Sequence, residues 1–432
     1  MNRALSATLT LLLLAVALPA DARVQIEHWT TQSGVRVYFV ETRALPIVDV
    51  SIEFAAGSAY DPRERAGLGQ LTLALLKGGS ARFSEAEMDR RIADAGAELR
   101  DSFDLDRAGF ALRTLSSEAE RKLAVDTLAD MLQSPRFASE VFEREKARAI
   151  ANAAEAETQP DHIAEKRLYA LMYPSHPYGT TATPATLATI SREDVERHYR
   201  ARYRAAGAAV TIVGDLSIDA ARALAEQLTA RLAPGGEAAL PPALPATGET
   251  VRVAHPSAQS HVLLGEAALT RDDPDYFPLL IGNYILGGGG FVSRLMTEVR
   301  SKHGLAYSVY SYFHPYAQRG PFQVGLQTRR DQANEALKRV QDVIAEFMAR
   351  GPTEAELKAA KQSLVGGFPL RIDTNRKLLE QLAVIGFYKL PLDWLETYPA
   401  RLEAVTLDQI RSAFARHIAP EKLAVVVVGA AE

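Results

Sequence analysis

Two stretches of this chain recur at a single spacing. Ser191-Arg-Glu-Asp-Val195 answers to Thr406-Leu-Asp-Gln-Ile410, and Val210-Thr-Ile-Val-Gly214 answers to Val425-Val-Val-Val-Gly429. Both pairs are offset by the same 215 residues. Each copy has the same local construction: a Ser or Thr cap, a helix, then an apolar strand stopped by Gly. Self-similarity at one offset argues for duplicated halves of about 200 residues. The competing explanation is chance likeness between two Ala- and Val-rich helix–strand units. A chain of 432 residues is in any case too long for one ordinary core. Each half mixes consecutive strands with runs of helices. The expected fold is therefore α+β: two homologous halves, each a mostly antiparallel sheet with helices packed on one face.

The elements follow from local pattern. Val35–Val40 and Ile47–Phe54 read as strands, and Gly67–Lys77, apolar nearly all round, as a buried helix. Ser84 and Glu87 form a capping box for a helix that Gly96 closes. Glu98–Leu115 alternates like a hairpin, and helical stretches follow over Ser117–Gln133 and Ser139–Glu157. Gln159-Pro160-Asp161 breaks the pattern before another helix, and Tyr173–Gly179 (YPSHPYG) is a loop. Leu232–Thr250, rich in Pro, Gly and Ala, has linker composition. The expected divisions are a leader over 1–22, an N-terminal half over 23–231, a linker over 232–250 and a C-terminal half over 251–432.

The leader has a basic Arg3, an apolar core over Leu9–Leu18 too short to span a bilayer, and an Ala20-Asp21-Ala22 cleavage site. The expectation is a cleaved signal peptide, a periplasmic mature chain, and no membrane attachment after cleavage. There is no Cys, hence no disulfide, no thiolate metal site and no lipid-bearing Cys. The net charge of −4 gives no basic stripe for nucleic acid.

The densest functional pattern is Gly287–Phe313. Four glycines, Gly287, Gly288, Gly289 and Gly290, open it as a flexible turn. They lack the Gly-Lys-Ser/Thr ending of a phosphate loop. Phe291, Leu295 and Val299 follow at helical spacing, and Gly304 stands where a C-cap belongs. Leu305–Phe313 then reads as a strand with Leu305, Tyr307, Val309 and Ser311 on one face. The turn sets Arg300 near Tyr307, a cation and a phenol able to bind one oxygen of a peptide or other anionic ligand. On spacing alone, an ordinary helix-end Arg and a half-buried strand Tyr serve as well.

In context, AYDPRERAGLGQLTLALLKGGS resembles the active-site region of the pitrilysin/insulinase family of zinc metallopeptidases. The resemblance covers essentially the whole mature chain. It extends to His176-Pro-Tyr-Gly179, the Val-rich strand ends and Ser293–Tyr307. That family carries H-x-x-E-H on this helix: two His as zinc ligands on one helical face and a Glu as general base. Here the frame matches at Gly67 and Leu68, but Gln70, Leu73 and Ala74 stand at the His, Glu and His positions. The third ligand, a Glu in the family, falls on Ala151 or Asn152. No other H-x-x-E-H occurs, and the remaining His residues, such as His162, His176, His255 and His261, lack partners at metal-like spacing. The expectation is that this chain binds no catalytic metal.

What the family's second half contributes is present. The resemblance gives Arg300 and Tyr307 the roles of holding the substrate backbone and stabilising the oxyanion. Some family members divide these parts between two chains, and this sequence has the pattern of the one without zinc. It implies a heterodimer with a homologous H-x-x-E-H subunit that brings zinc and the base, acting on peptides. The alternative is a catalytically inactive structural or peptide-binding homologue. With no Cys and no G-x-S-x-G, the usual nucleophile signals are missing.

Overall fold

The computed structural model describes residues 24–235, 239–244 and 248–429. The expected leader over 1–22 lies outside them. Among the described residues, eleven strands form two sheets. The first half contributes β1 (Glu27–Thr30), β2 (Arg36–Glu41), β3 (Ile47–Phe54), β4 (Glu98–Phe103), β5 (Ala108–Leu115) and β6 (Ala208–Gly214), in spatial order β1-β2-β6-β3-β5-β4. The second contributes β7 (Thr250–Ala254), β8 (Gln259–Leu269), β9 (Val309–Phe313), β10 (Gly320–Arg329) and β11 (Ala424–Gly429), in order β7-β11-β8-β10-β9. Apart from the extra edge strand β1, the two orders superimpose. In both, the strand that ends the half, β6 or β11, lies parallel to the strand that opens it, β2 or β7. All other pairings are antiparallel.

Each sheet carries its own half's helices on one face. In β3 the residues Val48, Val50, Ile52 and Phe54 are fully buried against those helices, as period-two alternation requires. Capping boxes at Ser84, Ser191 and Thr406 start helices where the sequence places them. Yet Asp49, Ser51 and Glu53, on the opposite face of β3, are buried too.

The cover for that face comes from the other half. Helix Asn375–Tyr388 lies across the back of the first sheet, with Leu378, Leu382 and Ile385 packed in one cluster with Tyr38, Val40 and Val213. Helix Pro160–Met172 lies across the back of the second, with Ala164, Leu168 and Met172 against Leu263, Ala267, Val426 and Val428. The two helices begin 215 residues apart, so they are a third pair of the duplication, exchanged between halves. Glycine permits the close approach in both places. A Cβ on Gly386 would come within 2.7 Å of the Tyr38 ring, and one on Gly265 within 2.8 Å of Met172 Sδ.

A buried carboxylate ties the exchange together. Asp106, in the β4–β5 turn, accepts hydrogen bonds from Tyr178 Oη (2.5 Å), Tyr388 Oη (2.9 Å) and the Ala317 amide (2.7 Å). Burial pushes its carboxyl above the usual carboxylate range. Arg107 beside it pairs with Glu53 and Asp104, both at 2.8 Å. The Pro-rich connection does not hang free: Leu232 and Ala243 are buried, and His176 Nε2 donates to the Pro241 carbonyl over 2.8 Å.

Candidate functional site

Helix Leu68–Leu76 begins at Gly67, whose φ of +100° suits a residue without a side chain. The Asp61 carboxylate closes its N-terminus, accepting from the Gly67 and Gly69 amides at 2.8 Å each. Burial pushes Asp61 up to about 7 against those N–H groups. Leu71, Leu73, Leu75 and Leu76 are buried in the first-half core. Gln70 and Ala74, four apart, share the face bordering a cavity of about 610 Å³. Helix Ser139–Ala156 supplies another wall through Glu145, Arg148 and Asn152, and helix Pro160–Met172 supplies His162, Glu165 and Tyr169.

The positions that match the family's ligands and base do not fit its zinc. Zinc takes imidazole, thiolate or carboxylate donors in near-tetrahedral array. Gln70 offers a carboxamide, Ala74 a methyl group, and Leu73 is 1% exposed in the core, where no base could act. Asn152, not Ala151, lines the cavity at the third-ligand position. Neither Arg300 nor Tyr307 lines this cavity, so the chain does not bring the two halves of the family's site together in one pocket.

Arg300 and Tyr307 do meet each other. The guanidinium carbon lies 5.0 Å from the Tyr307 ring centre, within cation–π range. The route to that contact differs from the expected helix–turn–strand. The segment bearing Arg300, Met296–Lys302, is a π-helical turn, as is Tyr284–Gly288, and such wide turns concentrate at functional sites. Gly304 does cap the segment, with φ +64° and its amide bonded to the Arg300 carbonyl at 2.9 Å.

The strand, however, begins at Val309 rather than Leu305. The Leu305 amide is drawn back to the Val299 carbonyl and its carbonyl is taken by Thr328 Oγ1. Leu305 to Ser308 is therefore irregular. Leu305, Ala306, Val309 and Ser311 are buried, whereas Tyr307 turns outward and is 82% exposed. The single face expected for Leu305, Tyr307, Val309 and Ser311 does not exist.

Nor are the glycines a free turn. Gly287 and Gly288 belong to the first π turn, and Gly287 is packed so tightly against Ser311 and Leu295 that a Cβ would clash. Gly289 donates to the Tyr284 carbonyl at 2.8 Å. Only Gly290, at φ +61°, has open space around it. It turns Phe291 out of the expected apolar stripe: Leu295 and Val299 are buried, but Phe291 is 74% exposed. Among the described residues, Arg300 makes no ion pair, and its side chain contacts the rings of Phe291 and Tyr307.

Comparison with known proteins shows the family. Residues 36–184 match the family described as Insulinase (Peptidase family M16), and residues 189–364 match Peptidase M16 inactive domain. A crystal structure of a peptidase M16 inactive domain from Pseudomonas fluorescens is 34% identical. It superimposes with a TM-score of 0.91, over 95% of this chain and 98% of that one. The Helicobacter pylori protein named non-peptidase homolog YmxG is 25% identical across 96% of this chain and 97% of its own length. The Bacillus subtilis protein named uncharacterized zinc protease YmxG is 24% identical across 93% and 98%. With both halves matched and the H-x-x-E-H positions held by Gln70, Leu73 and Ala74, the chain belongs to the insulinase (peptidase M16) family as an inactive homologue.

Proposed function

We propose that this chain is the non-zinc subunit of a periplasmic two-chain peptidase, docking on a homologous H-x-x-E-H subunit and completing its site. The observation that carries this reading is the retained Arg300–Tyr307 pair: Tyr307 is exposed, Arg300 is half-buried beside it, and neither side chain has an acceptor among the described residues. The chain's own zinc positions, by contrast, have lost every ligand. Zinc and the general base would come from the partner; this chain binds and orients. The Arg300 N–H groups hold a backbone carbonyl of an extended peptide. The Tyr307 O–H donates to the scissile carbonyl oxygen as negative charge develops there. One preorganised donor of this kind contributes about 2.7–4 kcal/mol in the transition state. Export follows from the leader over 1–22.

The test is hydrolysis of a quenched fluorescent peptide, with zinc, by three samples: this chain, an H-x-x-E-H chain from the same organism, and the two mixed. Activity confined to the mixture is the expected result. Equal activity with and without this chain would overturn the proposal.

One observation favours a second reading, peptide binding without chemistry. The cavity of about 610 Å³ is the size of a ligand site and presents two carboxamides, Gln70 and Asn152, where metal ligands stand in the family. Tight binding of a peptide by this chain alone, with no gain on mixing, is what that reading requires.

A further inference from the structure

Phe291 sits beside Val292 in the 3-10 turn Gly290–Val292, and both are 74% exposed. A lone apolar residue on a surface needs no explanation. This one has two features that stray residues lack. Its backbone is fixed: the Ser293 hydroxyl donates to the Gly290 carbonyl at 2.7 Å, and the Ser293 amide donates to the same oxygen at 3.0 Å. The turn is anchored on both sides by the π-helical turns Tyr284–Gly288 and Met296–Lys302. Its ring also lies against a specific group, the Arg300 guanidinium, 4.8 Å from the ring centre. Tyr307 lies 5.0 Å from the same guanidinium.

A guanidinium carries its five N–H donors in one plane. When rings approach it, the plane is fixed while the N–H edge stays free for an acceptor. Without them, Arg300 would sample many rotamers, and ordering it would be charged against each binding event. We propose that Phe291 is a positioning residue for Arg300: with Tyr307 it clamps the guanidinium and presents its N–H edge to a peptide carbonyl. The inference rests on the reading of Arg300 as the donor that holds the substrate backbone. It also explains the geometry of the glycine run, since a Gly290 at φ +61° lets the chain turn Phe291 outward onto Arg300. The Tyr307 hydroxyl is left free, because stacking uses the ring and not the O–H.

Exposed cation–π contacts alter an equilibrium by about two- to fivefold. The first measurement needs only this chain at full length. Phenylglyoxal modifies arginine, and peptide mass spectrometry gives the rate at Arg300, with exposed Arg43 as reference. Phe291→Ala and Phe291→Leu should each raise the Arg300 rate about two- to fivefold, and Phe291→Tyr should keep it at the wild-type value. Equal rates in all four proteins would overturn the clamp.

The second measurement is steady-state hydrolysis with the H-x-x-E-H partner. Phe291→Ala should raise KM about two- to fivefold with kcat held, as loss of uniform binding does, and Phe291→Tyr should restore it. A KM unmoved by Phe291→Ala, in a mixture that Arg300→Ala impairs, would overturn the positioning role. If Arg300→Ala also leaves the mixture unchanged, the two-chain reading fails instead, and the modification rates still decide the clamp.

Discussion

Tyr307 carries its hydroxyl on an exposed side chain with no hydrogen-bond partner among the described residues, so little of the fold depends on it. Tyr307→Phe should therefore leave the melting temperature unchanged while lowering kcat of the two-chain mixture about 10²–10³-fold. Retained turnover would remove the oxyanion role. At the opposite site the expectation is reversed. Gln70→His, Leu73→Glu and Ala74→His together should give no zinc-dependent turnover by the chain alone, because Asn152 still stands at the third-ligand position. The triple variant should also lose stability. Leu73 is fully enclosed by the core, and an unpaired carboxylate there costs several kcal/mol. Denaturant melts and a peptide assay with added zinc check both points. The meeting of Arg300 with Tyr307 was legible because Gly304 marks the turn between them. The outward turn of Phe291 was not, because helical spacing to Leu295 and Val299 reads as core. Only the Gly290 turn takes it off that stripe.

Among the elements, capping chemistry was the most legible. Ser84, Ser191 and Thr406 each accept from the amide three residues on, as their sequences require. Regular periodicity misled where the backbone departs from it. A π turn widens the ring of hydrogen bonds without changing residue type, so Met296–Lys302 looks in sequence like an α-helix. Alternation extended the strand back to Leu305, although that residue's amide and carbonyl are both spent outside the sheet. The exchanged helices were hidden for a different reason. Pro160–Met172 and Asn375–Tyr388 keep their offset but share little sequence, and which sheet a helix covers is a tertiary fact. Their importance is measurable: Leu382, fully buried at the back of the first sheet, should cost about 2–5 kcal/mol on truncation to Ala. A loss under 1 kcal/mol in urea unfolding would mean that the helix is only loosely seated.

For the whole molecule, duplication was visible from two short motifs, and the two sheet orders match it. What the motifs could not convey is that neither half is complete. Each lends a helix to the other's sheet, and Asp106 is bonded by Tyr178 from its own half and by Tyr388 and Ala317 from the other. Calorimetry should therefore show one transition, with calorimetric and van't Hoff enthalpies in agreement; two separated transitions would contradict the exchange. The same arrangement orders the folding of the chain. Asn375 follows Gly214 by 161 residues, so the strands of the first sheet are all present long before the helix that covers their back. Until that helix docks, Tyr38, Val40 and Val213 have only water against them. A product cut short before Asn375 would be a sticky fragment rather than a usable domain.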